Sequence, residues 1–105
     1  MSFRVIVRRN AKADIREARK WYENQCAGLG RSFLAEVNAA IARIQTMPTV
    51  SPEVVAGVRR ARTARFPYAI YFRVEQTRII VIVVVHSSRD PAMWQQRIDD
   101  ELRGS

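Results

Sequence analysis

The stretch Ile79-Ile80-Val81-Ile82-Val83-Val84-Val85 decides the fold, because this unbroken run of β-branched residues has no polar face. Such a strand is poorly suited to a water-exposed edge, where it would aggregate, and is typical of a strand with neighbours on both sides. The run is also far shorter than the about 20 apolar residues that span a membrane. We therefore predict a central strand over residues 78–85 and no membrane segment.

Two further strands precede the central strand at the spacing of an antiparallel meander. Residues 58–64 form an arginine-studded strand, and residues 68–74 form an alternating one. The connections at 65–67 and 75–77 are short enough for tight turns. At the start of the chain, residues 3–8 alternate as a short strand, which we assign to the free edge of the central strand. The predicted sheet order is one, four, three, two.

Two amphipathic helices are predicted between the first and second strands. Asn10 is placed as the cap of the first helix, and the second helix covers residues 29–47 and ends at Pro48. Their apolar stripes are Ala11, Ile15, Ala18 and Tyr22, with Trp21 beside them, and then Phe33, Val37, Ile41 and Ile44. Because the linker Gly28-Leu29-Gly30 is short, the helices must run antiparallel as an αα-hairpin.

A last short helix over residues 92–102 is predicted from Asp90 as its cap and Pro91 at its first position. The fold class is therefore α+β, with an αα-hairpin packed on a four-stranded, mainly antiparallel sheet in the order β-α-α-β-β-β plus the short helix. We expect the hairpin on the sheet face of Val5, Ile70 and Phe72. The opposite face, which carries Tyr71 and Arg73, is expected to be partly open.

The composition fits one globular domain spanning residues 1–105. The chain carries 18 basic side chains against 10 acidic ones, and the formal net charge of +8 favours acidic partners, either nucleic acid or an acidic protein. The one cysteine, Cys26, cannot form a disulfide within the chain and favours a reducing compartment, so we expect the cytoplasm.

Few residues are suited to catalysis. One histidine and one cysteine cannot supply the ligands of a zinc site, and Gly28-Leu29-Gly30 follows no strand as a phosphate loop would. We expect neither a metal nor a cofactor. As the one histidine, His86 is the candidate general acid or base, but packing at the strand end, with a hydrogen bond to the following turn, is the favoured interpretation.

The arginines of the second strand, Arg59, Arg60, Arg62 and Arg65, fall on both faces of the sheet. Arg60 and Arg62 share a face and have Tyr71 nearby, so they are suited either to gripping a nucleic-acid backbone or to keeping an edge strand soluble. Trp21 and Tyr22 have core spacing but are also candidates for a partner-binding surface. Trp94 either locks the last helix to the sheet or awaits a partner.

The chain resembles the ParE branch of the ParE/RelE toxin superfamily, the plasmid-stabilisation proteins. The resemblance covers almost the whole chain. It rests on Ala13-Asp14-Ile15, Trp21-Tyr22-Glu23, Gly28-Leu29-Gly30, Phe33-Leu34, Met47-Pro48, Gly57-Val58-Arg59-Arg60, Arg65-Phe66-Pro67-Tyr68-Ala69-Ile70-Tyr71 and His86-x-x-Arg89-Asp90-Pro91-x-x-Trp94-x-x-Arg97. The order and spacing of these pieces together are specific, and the family's fold agrees with the one derived from periodicity.

The resemblance implies a toxin of a type II toxin–antitoxin pair, neutralised by an acidic ParD-like antitoxin and acting on DNA gyrase by binding when free. A homodimer and a toxin–antitoxin heterooligomer are both compatible with it. The residues expected to meet the antitoxin or the target are Trp21, Tyr22, Arg59, Arg60, Arg62, Arg65, Tyr71, Arg73, Arg89 and Trp94.

Two alternatives remain open. RelE-like members are ribosome-dependent mRNA endoribonucleases, and in that case Arg60, Arg62, Tyr71, His86 and Arg89 would be the catalytic set. The sheet lacks the lysines that RelE-like nucleases commonly bring to it, and the chain continues into the helix after Asp90, as ParE-like chains do. The other alternative is a remnant that binds an antitoxin but is no longer toxic.

Overall fold

The fold is built around a five-stranded mixed sheet with the predicted run at its centre. The structure is a computed structural model and describes residues 3–104. Its strands are β1 (Arg4–Val7), β2 (Glu53–Val55), β3 (Val58–Arg62), β4 (Tyr68–Glu75) and β5 (Arg78–His86), in the order β1-β5-β4-β3-β2. β1 runs parallel to β5, and the other pairs are antiparallel. The predicted α+β class and the central position of β5 are confirmed.

β2 adds a fifth strand to the four that were predicted. It pairs with β3 through a tight turn in which Ala56 and Gly57 adopt positive φ angles of 31° and 84°. The Gly57 amide donates to the Glu53 carboxylate across this turn, with 3.1 Å between N and Oε2. A three-residue strand that directly follows Pro52 has too little alternation to be detected from sequence.

The predicted αα-hairpin is formed by α1 (Arg9–Gln25) and α2 (Leu29–Thr46). The prediction that Asn10 caps α1 is wrong, because the helix already begins at Arg9 and the cap position, Arg8, makes no side-chain hydrogen bond. The N-terminus of α2, by contrast, is capped by the Glu23 carboxylate, which accepts hydrogen bonds from the amides of Gly28 and Gly30 at 3.0 Å each. These two hydrogen bonds lower the pKa of Glu23, so it caps α2 as a carboxylate.

The hairpin covers one face of the sheet and encloses the larger core. The fully buried side chains of this core include Phe33, Val37 and Ile44 from α2 and Ile70, Phe72, Ile79 and Val81 from the sheet. Gly30 allows the close approach of the two helices, because a Cβ there would lie 2.7 Å from the Arg19 carbonyl oxygen. The sheet face that was predicted to hold the hairpin does so.

The opposite face is covered by α3 (Pro91–Gly104), so the expectation that it is partly open is wrong. Tyr71 is only 3% exposed there, and the partly buried Arg73 is paired with acidic side chains. Asp90 caps the helix as predicted, with its Oδ1 accepting from the Ala92 amide at 2.9 Å. Among residues 3–104, no helix is long and apolar enough to cross a membrane.

A bulge lets the apolar run of β5 supply both cores. Tyr71 is opposite Val83 but Phe72 is opposite Val81, so Ile82 is an extra residue on β5. Ile82, Val83 and Val85 then face α3 together with Ile98, while Ile79, Val81 and Val84 face the hairpin. The sheet therefore needs apolar residues on both sides of β5, which explains why the run has no polar face.

Candidate functional site: two grooves beside the sheet

One groove lies between α1, the end of β5 and the start of α3, and we call it the hairpin groove. Its volume is about 640 Å³, and its walls include Glu17, Trp21, Tyr22, Tyr68, His86 and Arg89. Four of the sequence-predicted residues, Trp21, Tyr22, His86 and Arg89, thus meet here. The groove combines an exposed aromatic wall with charged residues of both signs, including Glu17 and Arg89.

The aromatic wall of the hairpin groove is continuous with the core. Tyr22 packs against Phe33, Phe66 and Tyr68 with ring centroids 4.8–6.1 Å apart. Trp21 contacts the edge of Tyr22 but remains 58% exposed. Burial, followed by the charge interaction and the hydrogen bond with Tyr22, raises the pKa of Tyr68 to about 12, so this hydroxyl stays protonated at neutral pH. Tyr22 is thus mainly a packing residue, and Trp21 presents its ring to solvent.

His86 is held by the turn that follows β5. Its Nδ1 accepts from the Ser88 amide at 3.1 Å and lies 2.7 Å from the Ser88 hydroxyl oxygen. The imidazole ring also packs edge-on against Tyr68, with the centroids 5.3 Å apart. Arg89 is exposed, with Nη1 3.4 Å from the Met93 sulfur. The favoured interpretation of His86, packing at the strand end, describes these contacts.

The second groove lies between the end of α2, the turn at Pro48–Val50 and β3, and we call it the β3 groove. Its volume is about 520 Å³. Ala40, Ile44 and Ala61 contribute to its apolar lining, and Met47 and Val50 are 62% and 69% exposed beside it. Arg43, Arg60 and Arg62 are the cationic residues that line it. An apolar trough with arginines along it suits a partner that is both apolar and acidic.

Three of the predicted partner-binding arginines instead make contacts within the chain. Arg59 donates to the carbonyl oxygens of Thr49 and Ser51, at 3.3 and 2.7 Å, and so fastens the loop before β2. Arg65 pairs with Glu36 at 3.2 Å. Arg73 pairs with Glu75 at 2.6 Å and with Glu101 at 3.0 Å.

The proposed ribonuclease residues do not come together. Tyr71 lies beneath Trp94, whose ring is stacked on it with the centroids 4.5 Å apart and the planes 17° from parallel. Arg60 is opposite Tyr71 in the β3–β4 register and lines the β3 groove, whereas His86 and Arg89 line the hairpin groove. Trp94 thus holds α3 against the sheet and shields Tyr71 from solvent.

The sequence analysis missed the ion pair between Asp14 and Arg97. The two Nη atoms of Arg97 donate to the two carboxylate oxygens at 3.2 and 2.9 Å. Asp14 also accepts from the Val84 amide at 3.0 Å, and Arg97 donates to the Ile82 carbonyl oxygen at 3.1 Å. β1 pairs with β5 only as far as Val81. Beyond that residue, the ion pair supplies hydrogen-bond partners for the backbone groups at the edge of β5. Both residues belong to the quoted motifs, but no local pattern connects them.

Glu101 forms a second cluster that sequence did not indicate. Its carboxylate receives hydrogen bonds from Arg8 at 2.9 Å and from Arg73 at 3.0 Å. Burial alone would raise the pKa of Glu101, but the hydrogen bonds from the two arginines lower it. Among residues 3–104, no three His, Cys, Asp or Glu side chains are grouped as a metal site.

These observations define the class of protein. It is a basic α+β domain with two grooves beside its sheet, and its candidate catalytic residues lie apart from one another. A family model described as ParE toxin of type II toxin-antitoxin system, parDE, matches residues 5–91. The chain belongs to this family of toxins. No curated protein sequence matches it.

Three solved structures are similar in fold. A chain of the chromosomal ParDE toxin–antitoxin system from P. aeruginosa has a TM-score of 0.68 and 20% identity, covering 81% of this chain and 96% of that one. A chain of the RelBE2 toxin–antitoxin complex from Mycobacterium tuberculosis has a TM-score of 0.59 and 18% identity, covering 82% of this chain and 99% of that one. A mutant of the E. coli toxin RelE in the free state has a TM-score of 0.67 and 10% identity, covering 95% of this chain and 98% of that one. At these identities the likeness concerns the fold.

Proposed function

We propose that this toxin acts on DNA gyrase in the cytoplasm by binding it, and that a ParD-like antitoxin neutralises it. The observation that carries the non-enzymatic mode is the burial of Tyr71, which is 3% exposed beneath Trp94. A ribonuclease needs groups that transfer protons beside the groups that stabilise the phosphate. Here His86 lies in the hairpin groove, and Arg60 lines the β3 groove.

The β3 groove is the surface that we assign to the antitoxin. An acidic segment that is disordered when free gains both apolar burial and charge pairing when it folds into such a trough. The apolar lining offers the burial, and Arg43, Arg60 and Arg62 offer the charge pairing. Two of the structurally similar proteins come from toxin–antitoxin systems, which supports a partner of this kind.

The target is tested by assaying gyrase and mRNA side by side with the purified toxin. We expect cleaved DNA to accumulate in a gyrase supercoiling reaction, while mRNA on translating ribosomes stays intact. Degraded mRNA with unaffected gyrase would reverse the assignment, and loss of that cleavage in His86→Ala would identify the catalytic histidine. Harmless expression of the folded toxin alone would instead favour the non-toxic remnant.

The antitoxin site is tested by charge reversal with a matched control. The double variant Arg43→Glu/Arg62→Glu should lose more than about tenfold in affinity for a ParD-like antitoxin, measured by titration calorimetry. The control variant Arg4→Glu/Arg103→Glu changes the net charge equally but lies outside the β3 groove. Equal losses in the two variants would show that only the net charge matters.

A further inference from the structure

The outer face of α1 carries a stripe of cations that neither groove uses. Arg9, Lys12, Arg16 and Arg19 recur at intervals of three and four residues, and Lys20 follows four residues after Arg16. All five are exposed. At 100° per residue these positions lie together on the side of the helix roughly opposite the buried Ala18. We call these five residues the basic stripe. It spans about 16 Å of helix axis at 1.5 Å per residue.

The acidic side chains of α1 leave the basic stripe almost uncompensated. Asp14 is paired with Arg97, and Glu17 lines the hairpin groove. Glu23 lies near Arg19, but its two oxygens accept from the amides that begin α2. Among residues 3–104, no side chain forms an ion pair within 4.0 Å with any member of the stripe.

This arrangement costs the folded protein free energy. Like charges three or four residues apart on a helix repel one another. Arg9 and Lys12 also lie in the first turn, where the helix dipole disfavours cations, and that turn contains no acidic residue. A bound polyanion would remove the repulsion, because each cation would then face a negative charge.

The chemistry of the stripe favours duplex DNA over other polyanions. Its five members include no apolar or aromatic side chain, whereas an acidic amphipathic segment needs an apolar wall and a single strand needs rings on which its bases stack. The nearest exposed ring, Trp21, lines the hairpin groove. A duplex needs only cations along its backbone, because it presents a phosphate about every 1.7 Å of its axis.

We propose that the basic stripe binds the phosphate backbone of duplex DNA without reading its sequence. The first-turn amides of α1, which no side chain caps, add donors at the Arg9 end of the stripe. This contact goes beyond the proposed action on gyrase and does not depend on it, since it concerns the toxin alone with DNA. It gives the net charge of +8 a specific location on the molecule.

The test measures binding of the purified toxin to a short mixed-sequence DNA duplex by fluorescence anisotropy over a range of salt concentrations. We expect Lys12→Gln/Arg16→Gln to weaken binding more than about tenfold at low salt and to reduce the slope of log affinity against log salt by about 2. The control Arg4→Gln/Arg103→Gln removes the same charge outside the stripe and should keep the slope of the unmodified protein. Thermal melts check that both variants are folded.

Three outcomes would overturn the proposal. Equal losses in the stripe variant and the control would mean that net charge alone attracts DNA. Stripe-dependent binding that is tighter for single-stranded RNA, or for a polyglutamate peptide, would assign the stripe to that other class of partner. An unaltered salt slope in Lys12→Gln/Arg16→Gln would remove these two cations from any DNA interface.

Discussion

The two faces of the sheet are covered in different ways. On the hairpin face, fully buried aliphatic and aromatic side chains such as Phe33 and Phe72 form the larger core. On the α3 face a smaller apolar cluster is supplemented by the Tyr71–Trp94 stack and by ion pairs of Glu101 and Arg97. The hairpin therefore depends mainly on apolar packing, whereas the attachment of α3 depends on charge and geometry as well.

The largest expected effect is on the hairpin face. Phe33 is fully buried and packs against the rings of Tyr22, Phe66 and Tyr68. Phe33→Ala should lower the free energy of unfolding by about 4 kcal/mol, because it removes apolar contacts and leaves a cavity. Urea denaturation followed by circular dichroism measures this loss. Val50→Ala, at an exposed position, serves as the control and should change little. A similar loss in both variants would contradict an apolar core centred on Phe33.

The second prediction concerns the ion pair that closes the edge of β5. Asp14→Asn leaves the Arg97 guanidinium, 19% exposed, without its carboxylate and weakens the bond to the Val84 amide. We expect a loss of about 3 kcal/mol by the same denaturation method. The control Asp100→Asn breaks the solvent-exposed pair with Arg103 and should have no measurable effect. Comparable losses would mean that burial of the Asp14 pair is unimportant.

Much of the hairpin face could be predicted from sequence because its signals are local and periodic. The apolar run at Ile79–Val85 placed the central strand, and the spacing of Phe33, Val37 and Ile44 placed α2. These patterns report directly which side of an element is buried. The order of four of the five strands then followed from the short connections and from the free edge of the central strand.

The α3 face could not be predicted in the same way, because its contacts join distant parts of the chain. Asp14 and Arg97 are 83 positions apart, and a charged residue gives no local sign of being paired. The burial of Tyr71 depends on α3 crossing the sheet, with Trp94 stacked on the ring. Of the predicted partner-binding residues, Trp21 and Arg89 line the hairpin groove. Sequence could not foresee that Arg59 and Arg73 bind within the chain.

The two tryptophans offer a matched test of how α3 is held. Trp94→Ala removes the ring stacked on Tyr71 and should cost about 2 kcal/mol of stability. Hydrogen exchange should rise in α3 before it rises in α2, because the hairpin core does not touch this ring. Trp21→Ala removes a side chain that is 58% exposed and should cost much less. Uniform exchange in both helices would show that α3 unfolds only together with the hairpin.

The smallest expected effect is a dependence on pH at the α3 face. The pKa of Glu101 is lowered in the folded protein, so its stabilisation is fully present above the ordinary glutamate pKa and is lost as the pH falls through the folded value. Glu101→Gln should cost about 1 kcal/mol at neutral pH and flatten the acid limb of the stability curve. Glu17→Gln, at an exposed position on α1, should keep that limb. If both variants lose stability at acid pH as the unmodified protein does, protonation of Glu101 does not weaken the attachment of α3 through the Arg8 and Arg73 pairs. The apolar contacts of Ile98 and the Trp94 stack would then suffice to hold the helix.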